Sequence, residues 1–138
     1  MLSYRAATSA TPATAWELIA RPERWHEWAP HLRGAWGLGE PEVKVGARGA
    51  ARLLGVVPVP ARVTAKRAGA SWTWQVGPVA MVHAVEPTDG GAEVVVELHA
   101  ARPLEAALAV SYGPVVGLLV KRLASVAASA DPVRARSR

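Results

Sequence analysis

Pro114-Val115-Val116-Gly117-Leu118-Leu119-Val120-Lys121-Arg122-Leu123-Ala124-Ser125-Val126-Ala127-Ala128-Ser129-Ala130 is the stretch whose periodicity sets the architecture. Val115, Leu119, Leu123, Val126 and Ala130 recur every three or four residues, with Lys121, Arg122, Ser125 and Ser129 on the other side, so the spacing predicts an amphipathic helix. Pro114 suits its first turn, where the N–H that proline lacks would have no partner. A helix over 114–130 is a rod of about 25 Å, long enough to lie across a whole sheet. A helical lead-in, Leu104 to Tyr112, is interrupted at Gly113-Pro114.

Upstream of that rod the period changes. From Gly34 to Arg102, short runs that often alternate are separated by turn signals at Gly37 to Pro41, Val57 to Pro60, Gly69, Gly77-Pro78 and Pro87-Thr88-Asp89-Gly90-Gly91. They predict strands near 33–38, 47–55, 60–67, 71–76, 79–86 and 92–101, joined mostly by hairpins. At the N-terminus Leu2, Tyr4 and Ala6 alternate with Ser3, Arg5 and Ala7, a further half-buried strand. Thr11-Pro12 is an N-cap followed by Pro at the first helical position, which opens a helix through Ala20. A second short helix, Pro22 to Trp28, places Trp25 and Trp28 on one face at i and i+3.

The composition narrows the classes further. A chain of 138 residues, 51% hydrophobic and 20% charged, is expected to be one folded domain over 1–131, followed by a basic disordered tail, 132–138. Cysteine is absent, so disulfide frameworks, thiolate catalysis and cysteine-based metal sites are excluded. The net charge is +5, but Arg134, Arg136 and Arg138 supply three of those charges and leave +2 for the body, which argues against nucleic acid as a partner. The stretch Ala106 to Val120 is shorter than the roughly 20 residues of a membrane span and contains Gly113-Pro114, so stable membrane insertion is not expected. A cytoplasmic location and a monomer or homodimer are the default expectations.

Catalytic motifs are thin. The two histidines of His26-Glu27-Trp28-Ala29-Pro30-His31 lie five apart across a proline, which does not make the i, i+4 pair of a zinc helix. Gly37-Leu38-Gly39-Glu40-Pro41-Glu42 lacks the third glycine of a dinucleotide loop, and Pro41 blocks the helix that would follow. No metal and no cofactor is implied.

The order strand, two short helices, six strands and long helix resembles the helix-grip fold, an α+β architecture in which a curved antiparallel sheet of about seven strands wraps a C-terminal helix. The segments Ala10-Thr11-Pro12-Ala13-Thr14-Ala15-Trp16, Pro22-Glu23-Arg24-Trp25-His26-Glu27-Trp28-Ala29-Pro30, Val45-Gly46-Ala47-Arg48 and His83 through Gly91 resemble the polyketide cyclase/dehydrase branch of the START-related, birch-pollen-allergen-like superfamily. The likeness covers residues 2–130. It implies an apolar cavity between sheet and helix for a hydrophobic small molecule such as a lipid, a polyketide or an aromatic compound.

Placing charged residues outside gives the lining. Arg62, Thr64 and Lys66 then point out and Ala61, Val63 and Ala65 in; Thr73 and Gln75 out, Trp72 and Trp74 in; Glu93, Glu97 and His99 out, Val94, Val96 and Leu98 in. Met81, His83 and Val85 share the inner face of their strand, and Glu97 is expected beside Arg5 on the outer face. The expected ligand-binding set is Trp25, Trp28, Val63, Trp72, Trp74, Met81, His83, Val96, Leu98, Tyr112 and Leu119. Phe is absent and sheet positions are often Ala or Gly, so a few large indoles among small residues leave room for a ligand.

His83 is the one strongly titratable group on that inner face. It is either a core histidine satisfied by Tyr4, a backbone carbonyl or water, or a hydrogen-bond partner for a ligand, or an acid/base group. The leading expectation is a binder of a hydrophobic small molecule, non-enzymatic or cryptically enzymatic. The alternatives are a polyketide cyclase/dehydratase using His83, and an interaction protein whose cavity is collapsed.

Overall fold

The computed structural model describes residues 1–29, 32–53 and 57–130. The basic tail expected at 132–138, Pro30 and His31 lie outside the described residues. Seven strands, β1 (Leu2–Thr8), β2 (Leu32–Trp36), β3 (Arg48–Leu53), β4 (Val57–Arg67), β5 (Ser71–Val76), β6 (Val79–Thr88) and β7 (Gly91–His99), form one antiparallel sheet in the order β1-β7-β6-β5-β4-β3-β2. Helix α1 (Pro12–Ala20) and a 3-10 helix (Pro22–Glu27) lie between β1 and β2, and α2 (Arg102–Val110) leads into the long α3 (Gly113–Ala130). This is the helix-grip arrangement, with α3 packed on β1, β7 and α1.

Local chemistry places the elements. Thr11 is extended, and its side chain accepts from the Thr14 N–H at 3.3 Å, so α1 begins as expected, with Pro12 in its first turn. The Thr8 hydroxyl at the end of β1 donates to the Ala124 carbonyl of α3 at 2.8 Å and accepts from the Ala10 N–H at 3.2 Å, a buried tie between sheet and helix. Gly91, with φ of 151°, opens β7 where a Cβ would collide with the Thr8 carbonyl, so only glycine lets the two strands approach.

Four expectations need correction. The segment Val57 to Pro60 is strand, not turn: Pro58 and Pro60 pair with Arg52 and Ala50 on β3, and β5 pairing begins only at Arg62, so the prolines sit on an edge where no N–H is required. On β4 the register with β5 shifts between Val63 and Ala65. That shift turns Ala65 outward, whereas Lys66 is half-buried and pairs with Glu42 at 3.0 Å. Arg5 bonds Glu93 at 2.7 Å and Glu86 at 3.2 Å rather than Glu97, which takes His99 at 3.0 Å, because Glu97 faces Ser3 in the β1–β7 ladder. The buried stripe of α3 is Val116, Val120, Leu123, Ala124 and Ala127, with Val115 exposed. The helix is turned by about one residue, a choice its many apolar positions leave open to tertiary packing.

Candidate functional site

The site is organised by the C-terminal end of α1. A helix ends with four carbonyls that have no intrahelical partner. Here each finds one: Leu18 O accepts from Trp28 Nε1 at 2.9 Å, Ile19 O from both Trp25 Nε1 and Trp72 Nε1 at 3.0 Å, Ala20 O from the Val43 N–H at 3.0 Å, and the carbonyl of the C-cap Arg21 from the Arg24 N–H at 3.0 Å. Three indoles thus cap one helix, and this fixes how their faces are presented.

Those faces form a stack. Trp25 and Trp72 lie parallel with ring centres 5.5 Å apart, and His83 lies parallel on Trp72 at 3.9 Å. Trp74 stands edge-on to all three, at 5.4 Å from Trp25, 5.5 Å from Trp72 and 5.8 Å from His83. Strand pairing explains the cluster: Trp72 and Trp74 share one face of β5, opposite His83 and Met81 of β6.

Against this wall lies a cavity of about 40 Å³. Trp25 and Trp28 line it from the 3-10 helix and its end, and Trp72, Trp74, Met81, His83 and Val96 from the sheet. The helical side is Tyr112, Val116, Leu119, Val120 and Leu123. Val63 and Leu98, expected in this lining, are fully buried in the core but do not reach the cavity. Val116, Val120 and Leu123 lie outside the expected ligand-binding set; the rotation of α3 accounts for Val116 and Val120, whereas Leu123 is on the apolar face that the spacing predicts. The void is small beside the roughly 150 Å³ that accommodates benzene in an engineered apolar cavity.

Two buried polar atoms of this lining have no partner, Nδ1 of His83 and Nε1 of Trp74. His83 does not pair with Tyr4, whose hydroxyl lies over Gly113 at the start of α3. Burial pushes the His83 imidazole down from 6.5 to about 3, against a weaker upward pull from the backbone of Trp72 and Met81, so the ring is neutral at physiological pH. Burial also raises the Tyr112 hydroxyl above its usual range. No other titratable side chain is among the lining residues.

A curved antiparallel sheet gripping a C-terminal helix, with an apolar lining shared between the two, defines the START-related, birch-pollen-allergen-like class. The profile of the family described as polyketide cyclase / dehydrase and lipid transport matches residues 2–131, and the chain belongs to that family. Solved structures agree on the fold. A protein from Mesorhizobium loti has a TM-score of 0.76 at 15% identity, over 94% of this chain and 98% of that one. A protein from Nitrosomonas europaea has a TM-score of 0.74 at 13% identity, over 91% and 92%. DynU16, a protein of the dynemicin biosynthetic locus, reaches 0.71 at 17% identity, over 96% of this chain and 49% of its own. No curated protein sequence matches the chain.

Proposed function

We propose that this protein binds a flat, hydrophobic small molecule between the aromatic wall of β5–β6 and the aliphatic face of α3. The observation that carries the reading is the lining itself: indole and imidazole faces on one side, Val116, Leu119, Val120 and Leu123 on the other. Flat π-faces opposite aliphatic side chains suit a planar apolar guest. The family membership and the fold support the same reading.

A cavity of about 40 Å³ requires that the guest open the site on entry. The helical side is the one that yields. Helix α2 buries none of its side chains, and Val110, Val115 and Leu118 around its junction with α3 are exposed. The aromatic wall is pinned instead by the three indole bonds to α1. The small volume also favours a second reading, in which the interior stays closed and the protein works through its outer surface. Acid/base catalysis fits less well: an imidazole with a pKa of about 3 is a weak base, far from the near-neutral value that general catalysis uses best.

Thermal denaturation in the presence of planar aromatic, polyketide-like and long-chain lipid compounds tests the proposal, because a ligand of the native state raises the melting temperature by mass action. Saturable stabilisation by planar apolar compounds is expected. Failure of every compound, together with native mass spectra free of retained small molecules, would establish the closed-interior reading.

A further inference from the structure

Five tryptophans have described side chains, and four of their indole N–H groups are bonded: Trp16 to Glu42 at 3.1 Å, Trp25 and Trp72 to Ile19 O, and Trp28 to Leu18 O. Trp74 alone among the described residues keeps an unpartnered indole N–H, an occluded atom on a residue that lines the cavity. Beside it, edge-on at 5.8 Å between ring centres, His83 keeps Nδ1 unpartnered while 5% of the residue is exposed. Buried polar atoms are almost always paired, so two such atoms on neighbouring rings of one cavity call for a common explanation.

We infer that the ligand carries a hydroxyl group, phenolic or enolic, held between Trp74 Nε1 and His83 Nδ1. The indole nitrogen is a donor only, so the group it meets must accept. The imidazole is neutral, and in the tautomer that carries its proton on Nε2 the unpartnered Nδ1 accepts. A hydroxyl oxygen does both at once, accepting from Trp74 and donating to His83, whereas an ether or a hydrocarbon cannot. The two rings are neighbours, with centres 5.8 Å apart and planes nearly perpendicular, and the bridge requires their two nitrogens to come within about 5.8 Å of each other, at about 2.9 Å per hydrogen bond. The flat apolar body then lies against the indoles and α3, as the proposed function requires, and this inference rests on that reading.

The test compares 2-naphthol with 2-methylnaphthalene, which has nearly the same shape but no hydroxyl, by calorimetric titration of the wild-type protein, Trp74→Phe and His83→Phe. Each substitution keeps an aromatic ring and removes the nitrogen. The ratio of the two affinities is expected to fall by about 2- to 13-fold in either variant, the range for one neutral hydrogen bond. An unchanged ratio in both variants overturns the inference and leaves the cavity intact. If neither compound binds the wild-type protein, the proposed function fails first. If one variant does not fold, the other decides alone. An ordered water bridging the two nitrogens, with no preference for 2-naphthol over the prediction from its polarity, also overturns the inference.

Discussion

Trp72 of β5 and His83 of β6 face each other across the strand ladder with their rings parallel and 3.9 Å apart. That contact covers one face of the imidazole and is part of the burial that depresses the pKa of His83.

The stability of the protein therefore falls in mild acid. The folded-state pKa of about 3 lies below the ordinary 6.5, so between those values the unfolded chain takes up a proton that the native state refuses. The stabilisation is complete above pH 6.5 and is lost as pH falls toward 3. Between pH 6.5 and 5 the wild-type protein should lose about 1.6 kcal/mol relative to His83→Phe, the slope rising from half to nearly all of about 1.4 kcal/mol per pH unit. Urea denaturation of both proteins across that window measures the difference. Parallel profiles would mean that His83 ionises in the native state.

Trp72 and Trp74 share a strand face and are both buried, yet they should respond differently to replacement by Phe. Trp72→Phe breaks the bond to Ile19 O and leaves a smaller ring; Trp74→Phe leaves the same smaller ring but removes an unpaired donor. Trp72→Phe should cost at least about 1 kcal/mol more, from the lost bond on one side and the relieved desolvation on the other. Equal losses in denaturant titrations would show that the indole cap contributes nothing.

Gly113→Ala should destabilise the α2–α3 junction, because a Cβ there collides with the Tyr4 hydroxyl and comes within 3.0 Å of the Leu108 carbonyl. Tyr4→Phe removes the nearest atom, so the double variant should recover part of the loss, a coupling of about 0.5 kcal/mol or more. Strict additivity of the two substitutions would place Tyr4 elsewhere.

Hydrogen exchange should be fastest, among the helices, in α2, which buries no side chain, and slow in β6 and β7, whose pairing runs from Ala80↔His99 to Thr88↔Gly91. Adding a planar apolar ligand should slow exchange in α2 and the first turns of α3. Protection confined to β2 or β3 would place the binding site away from the proposed cavity.

Much of this was legible in the sequence. The alternation through Trp72-Thr73-Trp74-Gln75 fixed the inner face of β5, since exposing two indoles while burying Thr73 and Gln75 is unfavourable on both counts. Met81, His83 and Val96 followed from the same rule. What escaped depends on atoms rather than on patterns. The register shift at Val63/Ala65 carries no sequence signal, and α3 has enough Val, Leu and Ala for more than one buried stripe. The indole bonds to Leu18 and Ile19 join residues up to 53 positions apart, and only the folded chain reveals that Trp74 is left without one. Side-chain volumes likewise suggested a roomy interior, whereas the stack of Trp25, Trp72 and His83 nearly fills it.

The proposed binding mode seats an apolar molecule between the aromatic wall and α3. Intermolecular nuclear Overhauser effects between the ring protons of bound 2-naphthol and the methyl groups of the protein test it most directly. Contacts to the Met81 methyl on the sheet side and to Leu119 and Val120 on the helix side are expected in the same complex. Contacts only to Val110 and Leu118, both on the exterior, would contradict it.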